Sequence, residues 1–111
     1  YMPTHPAVIK LIRDIARAAK RREIPVSCCG ESAGEPIYAV LLLGLGLRTL
    51  SLTASGIPAL KQVVRAVTIK QCEQIAKKAI SLDSETEVAA YLRDQVRTLV
   101  PEAFRGYTDD R

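Results

Sequence analysis

The sequence predicts a helix-rich α/β fold with two parallel strands, and three observations predict it. Apolar residues recur at helical spacing in the first twenty residues. Two short β-compatible runs, at Ile24 to Cys28 and Arg48 to Thr53, are separated by an apolar segment long enough for a helix. The rest of the chain then returns to helical spacing. A helix, strand, helix, strand, helix order implies right-handed crossovers and a parallel pair of strands.

Taken in order, Thr4 is placed to cap a first helix, with Pro6 favourable in its opening turn, and the apolar pattern of Val8, Ile12, Ile15 and Ala19 carries that helix to about Lys20. Lys10, Arg13, Arg17, Lys20, Arg21 and Arg22 fall on the opposite side, as a solvated face does. Ile24 to Cys28 has charged residues before it and Gly30 after it, and reads as a buried strand. A second helix covers about Pro36 to Leu43, apolar nearly all round, and Gly44-Leu45-Gly46 ends it. Arg48 to Thr53 is the second strand, and Ser55-Gly56 turns the chain into a third helix with Pro58 in its first turn. Thr68-Ile-Lys-Gln71 and Ser84-Glu-Thr-Glu87 are capping-box sequences, each ahead of a helix. Ile69, Cys72, Ile75, Ala76 and Ala79 form one apolar stripe, and Val88, Leu92, Val96 and Leu99 the next. Pro101 stops the last helix, and Gly106 to Arg111 reads as a frayed tail.

Composition excludes several function classes. With 48% hydrophobic and 25% charged residues, the chain has ordinary globular usage. The net charge of +4 is concentrated on the solvated face of the first helix, and no nucleic-acid module or aromatic platform accompanies it, so a nucleic-acid partner is not expected. The longest apolar run, Ile37 to Leu47, is too short to span a bilayer and is broken by two glycines, and no signal sequence precedes it; no membrane role is expected. Three cysteines, two of them adjacent, form no disulfide framework and suit a reducing, cytoplasmic compartment. With one histidine, His5, and no CxxC spacing, a zinc site is not expected. Gly44-Leu-Gly46 follows a helix and not a strand, which fails the dinucleotide-binding context. Cys72 sits on an apolar stripe, where packing is the default.

The residues that point to chemistry are Ile24-Pro-Val-Ser-Cys-Cys-Gly-Glu-Ser-Ala-Gly34, a β-prone run that ends in cysteine and a glycine turn. A free cysteine usually behaves as a small buried hydrophobe. Neighbouring residues of a strand point to opposite faces, so Cys28 and Cys29 do not both reach one substrate, and Cys28 reads as packing. The run resembles the cysteine loop of the phosphoenolpyruvate (PEP)-utilising enzymes, in which a V-x-x-C-G-E-x-A-G-like motif closes the seventh strand of a (βα)8 barrel. Cys28 departs from the bulkier apolar residue of that pattern. The resemblance extends from His5-Pro6-Ala7-Val8 through Leu41-Leu-Leu-Gly-Leu-Gly-Leu47 to Leu50-Ser-Leu-Thr-Ala-Ser55, and so over almost the whole chain. This ordered set is similar to the end of the enzyme I branch, the PEP-protein phosphotransferases of the bacterial phosphotransferase system, with Leu47 to Leu52 closer to its nitrogen-related members. Pyruvate phosphate dikinase and PEP synthase share the loop but are less alike after it.

The resemblance implies that residues 1–105 are the C-terminal portion of a PEP-binding TIM-barrel domain, with the two strands as its seventh and eighth and two further helices after them, and that 106–111 is a flexible tail. A barrel of this class needs roughly 250 residues and 111 are present, the only methionine standing second after Tyr1; the chain is expected to be a fragment of a longer protein. By the same resemblance Cys29 is the catalytic residue, donating a proton to enolpyruvate. A thiol, with an unperturbed pKa of about 8.5, is protonated near neutral pH and suits that work. Gly30 is the implied substrate-binding position, where backbone can approach a small ligand. Glu31 either hydrogen-bonds the loop into shape or caps the following helix. The parent enzyme would move the phosphoryl group of PEP to its own histidine and then to a small carrier protein, with Mg2+. The magnesium ligands, the phosphate-binding arginines and the phosphorylated histidine belong to parts absent from this chain; His5 is not that histidine, and the fragment alone is expected to be inactive. Unpaired strand edges point to a homo-oligomer. The alternative is a non-catalytic dimerisation or regulatory module derived from the barrel end.

Overall fold

The computed structural model describes residues 4–29 and 35–101. Helix α1 is Pro6–Arg21, strand β1 Ser27–Cys29, helix α2 Pro36–Gly44 and strand β2 Thr49–Ser51. A 3-10 turn, Ala54–Gly56, leads into α3, Ile57–Ala66, and is followed by α4, Ile69–Ile80, and α5, Glu85–Leu99. The strands pair in parallel, with Ser27 opposite Thr49, Cys28 opposite Leu50 and Cys29 opposite Ser51. This is the helix-rich α/β order that the periodicities predict.

The most apolar segment of the sequence becomes the central element. Every residue from Pro36 to Leu42 is buried, as an all-round hydrophobic helix must be, and α3, α4 and α5 pack around it. Its partners in the core include Val63, Cys72, Ile75, Ala79, Val88, Leu92 and Val96. Gly44 permits the closest approach: a Cβ there would lie 2.0 Å from the carbonyl oxygen of Cys72 on α4. The helix ends in a Schellman turn, in which Leu47 N–H donates to the Leu42 carbonyl (3.1 Å) and Gly46 N–H to that of Leu43 (3.1 Å), with Gly46 at φ +109°.

The beginning of the chain departs from expectation. The N-cap of α1 is His5, whose Nδ1 accepts the Ala7 N–H at 3.0 Å. Thr4 lies one residue too early for that role; it is buried, and its hydroxyl donates to the Glu85 carbonyl at 3.4 Å, tying the chain start to the start of α5. Ile9 is the fully buried residue of α1, whereas Leu11 and Ile15 are 60% and 52% exposed. Of the expected inner stripe, Val8, Ile12 and Ala19 are half-buried and Ile15 is exposed, because among the described elements α4 is the main neighbour of α1.

Both strands are shorter than predicted. α1 ends in a turn through Glu23 at φ +56°, with Ile24 N–H donating to the Ala19 carbonyl (2.8 Å) and Glu23 N–H to that of Lys20 (3.1 Å). Ile24 is consumed by this turn and Pro25 has no N–H to give, so pairing starts at Ser27. Neither strand is the fully buried kind: in each, the central residue is half-buried and its two neighbours are exposed.

The later helices follow their caps. At α4 both arms of the box close, Gln71 N–H to Thr68 Oγ1 (3.1 Å) and Thr68 N–H to Gln71 Oε1 (2.8 Å). At α5 Ser84 accepts the Glu87 N–H (3.1 Å), but the Glu87 carboxylate takes the Ser84 hydroxyl (3.3 Å) instead of completing the box. Cys72, Ile75, Ala76 and Ala79 are buried as expected, while Ile69 is exposed; Val88, Leu92 and Val96 are buried and Leu99 half-buried. α5 ends at Leu99, ahead of Pro101. No helix among the described residues is long and apolar enough to cross a membrane. The tail at 106–111 lies outside the described residues.

Candidate functional site

The pleat of a strand sorts the cysteines. Along β1 and β2, Cys28 and Leu50 turn toward the helices and pack against the core, whereas Ser27, Cys29, Thr49 and Ser51 are exposed on the other face. Parallel sheets are ordinarily covered on both faces. Among the described residues, one face is clothed by helices, and the other is bare and made of small polar side chains. Cys29 stands on that bare face as the last residue of β1, at the C-terminal end of the strand. The connections to α2 and α3 leave from the same end of the pair. In the second connection, the Thr53 and Ser55 hydroxyls lie 3.3 Å apart.

The other two thiols are set apart from Cys29. Burial pushes the Cys28 thiol up from its ordinary value, and the adjacent Cys29 adds to the shift. Burial likewise raises that of Cys72, helped by Glu73 and opposed by Arg48. Because the thiolate is the reactive form, both are disfavoured as nucleophiles, and Cys72 is the core packer that its stripe predicts. All three cysteines are free thiols. Gly30 and Glu31, named with Cys29 from the sequence, lie outside the described residues. His5 is engaged at the start of α1.

Two features were not foreseen in the sequence. Ser51 stands directly across from Cys29, which only the register between strands reveals. A cleft of about 870 Å³ opens at the other end of the strands, by Val26 and Thr49, and Arg13, Arg17 and Lys20 of α1, Arg48, and Lys77 of α4 line it. Arg48 donates there to the Leu43 carbonyl (2.8 Å) and the Leu47 carbonyl (2.9 Å), so it completes the C-terminal end of α2. The cleft opens at the N-terminal ends of the strands, whereas Cys29 stands at the C-terminal end of β1. Among the described residues, no three His, Cys, Asp or Glu side chains gather as a metal site.

Residues 1–69 match the family described as PEP-utilising enzyme, PEP-binding domain. The chain is 38% identical over 88 residues to the phosphoenolpyruvate-protein phosphotransferase of Mycoplasma pneumoniae, covering 79% of this chain and 15% of that protein. It is 37% identical over 91 residues to the protein of the same name from Borreliella burgdorferi, covering 82% and 16%. To the multiphosphoryl transfer protein of Escherichia coli O6:H1 it is 38% identical over 92 residues, covering 83% and 11%. The chain thus spans about a sixth or less of the length of these relatives. A match over residues 1–69, together with these identities, makes the chain a member of the PEP-utilising enzyme family, within its PEP-binding domain.

Proposed function

We propose that these residues are the C-terminal portion of the PEP-binding (βα)8 barrel of a phosphoenolpyruvate-protein phosphotransferase, with β1 and β2 as its seventh and eighth strands and Cys29 as the proton donor to enolpyruvate. The observation that carries this reading is the position of Cys29: the C-terminal end of a parallel strand, on a bare polar face, in a chain whose first 69 residues match a PEP-binding domain. In a closed barrel the helices cover the outside, the bare face becomes the interior, and the strand C-termini carry the active site.

The chemistry follows from the group. Transfer of the phosphoryl group to a protein histidine breaks the bond between phosphorus and the enol oxygen and leaves enolpyruvate. The S–H bond of Cys29 then breaks as a C–H bond forms at the methylene carbon, the enol oxygen becomes the keto oxygen of pyruvate, and the thiolate recovers its proton from water. Gly30, beside the thiol, gives backbone room for the substrate. The arginines and acidic magnesium ligands lie on other parts of the polypeptide, and Mg2+ there supplies charge neutralisation on the transferring group. From the histidine the phosphoryl group passes to a small carrier protein. Without those parts the 111 residues alone are inactive. Free thiols fit a reducing cytoplasm.

The test is Cys29→Ala in the complete polypeptide. General acid–base catalysis contributes roughly 10²–10⁴-fold, so pyruvate formation and deuterium incorporation at its methyl group in D2O fall by about that factor while the protein stays folded. Unchanged incorporation, or PEP turnover by the 111-residue chain alone, overturns the reading.

A further inference from the structure

We propose that Ser51 is a positioning residue for Cys29, its hydroxyl donating a hydrogen bond to the sulfur as the thiolate forms; this rests on the reading of Cys29 as proton donor. Three observations lead to it. Cys29 and Ser51 are paired in register across the parallel ladder, and both are exposed on the same bare face. Neighbouring strands run about 4.8 Å apart, so two short side chains directly opposite one another stand side by side on that face. Among the described residues, the other polar side chains of the two strands and of the turn after β2 lie farther along the chain. Ser27 and Thr49 sit two residues back along the strands, roughly 6.6 Å away. Thr53 and Ser55 face each other at 3.3 Å. The basic side chains of Arg13, Arg17, Lys20, Arg48 and Lys77 gather at the opposite ends of the strands.

The role follows from the proton balance. When the S–H bond of Cys29 breaks toward the methylene carbon, the electron pair stays on sulfur and negative charge develops there. The Ser51 O–H, one donor on a freely turning bond, points at that charge, and none of its own bonds breaks. The hydroxyl thus acts on the substrate only through the thiol, and holds the sulfur at the end of β1 while it does so.

The experiment uses the complete polypeptide with Ser51→Ala, Ser51→Thr and Cys29→Ala, reading kcat and KM for PEP and the rate of iodoacetamide alkylation at Cys29 by mass spectrometry. A hydrogen bond to a charged group is commonly worth tenfold or more. In Ser51→Ala, kcat falls about tenfold with KM nearly unchanged, and alkylation of Cys29 slows by a similar factor; Ser51→Thr, which keeps the hydroxyl, restores both. Wild-type kcat in Ser51→Ala overturns the proposal. So does a fall in kcat with unchanged alkylation, because the hydroxyl then acts other than through the sulfur, and so does failure of threonine to rescue. Cys29→Ala separates the two readings. If that variant is as active as wild type, the reading of Cys29 falls and takes Ser51 with it. If it is inactive while Ser51→Ala is fully active, Ser51 alone falls.

Discussion

Buried thiols couple this fold to alkaline pH. Cys72 is enclosed where α2 crosses α4, and burial raises its pKa, with Glu73 adding to the effect and Arg48 opposing it. Cys28 is raised in the same direction by its own burial and by Cys29, and Tyr91 by burial. In the unfolded chain a thiol loses its proton near pH 8.5, whereas the folded chain keeps it to higher pH. Above that point the unfolded state binds fewer protons than the folded state, so stability declines as pH rises. The contribution is whole below about pH 8.5 and is lost as pH climbs through the raised folded values. Urea denaturation between pH 7.5 and 10 is expected to show a falling midpoint. Cys72→Ala, though less stable throughout because of its small cavity, is expected to show a shallower fall; an equal slope would remove Cys72 as a source.

Helix ends decide how the elements join. α2 and α1 close with the same pair of hydrogen bonds, but the left-handed position is Gly46 in one and Glu23 in the other. A non-glycine residue there costs about 1–2 kcal/mol, part of which glycine would return in backbone entropy. Glu23→Gly is therefore expected to raise stability by about 0.5–1 kcal/mol. Gly44→Ala, whose Cβ would run into the Cys72 carbonyl, is expected to lower it by about 3 kcal/mol by forcing α4 away. Urea melts of both variants check the signs, and a neutral Gly44→Ala would mean the crossing is looser than drawn. These positions also mark what the sequence discloses. Helices with their own period and caps, such as α4 behind Thr68 and Gln71, were legible because everything that makes them is local. The first turn of β1 was not, since no glycine announces the bend at Glu23 and a three-residue ladder ends where its partner ends. Cys29 was singled out by a local motif; Ser51 was hidden, because its place across from the thiol depends on a register between segments more than twenty residues apart in the chain.

At the scale of the whole molecule, the uncovered surfaces discriminate a barrel end from a free-standing module. A two-stranded parallel sheet with one bare face is not a self-sufficient arrangement, and Leu11 and Ile15 of α1 are exposed in the same unfinished manner. If the chain is the end of a (βα)8 barrel, the preceding elements cover α1 in the complete polypeptide, and a charge placed at either position is then buried without a partner, at several kcal/mol. In the 111-residue chain the same positions face water, where surface substitutions stay within about 0.5 kcal/mol. Leu11→Lys and Ile15→Lys are thus expected to destabilise the complete polypeptide severely and the isolated chain hardly at all. The isolated chain should also associate at micromolar concentration, through open strand edges and exposed leucine and isoleucine, and light scattering is expected to give a mass above that of one chain. A monodisperse monomer, together with small effects of both lysines in the complete polypeptide, would instead describe a module whose α1 face is meant for water, and the barrel reading would fall with it.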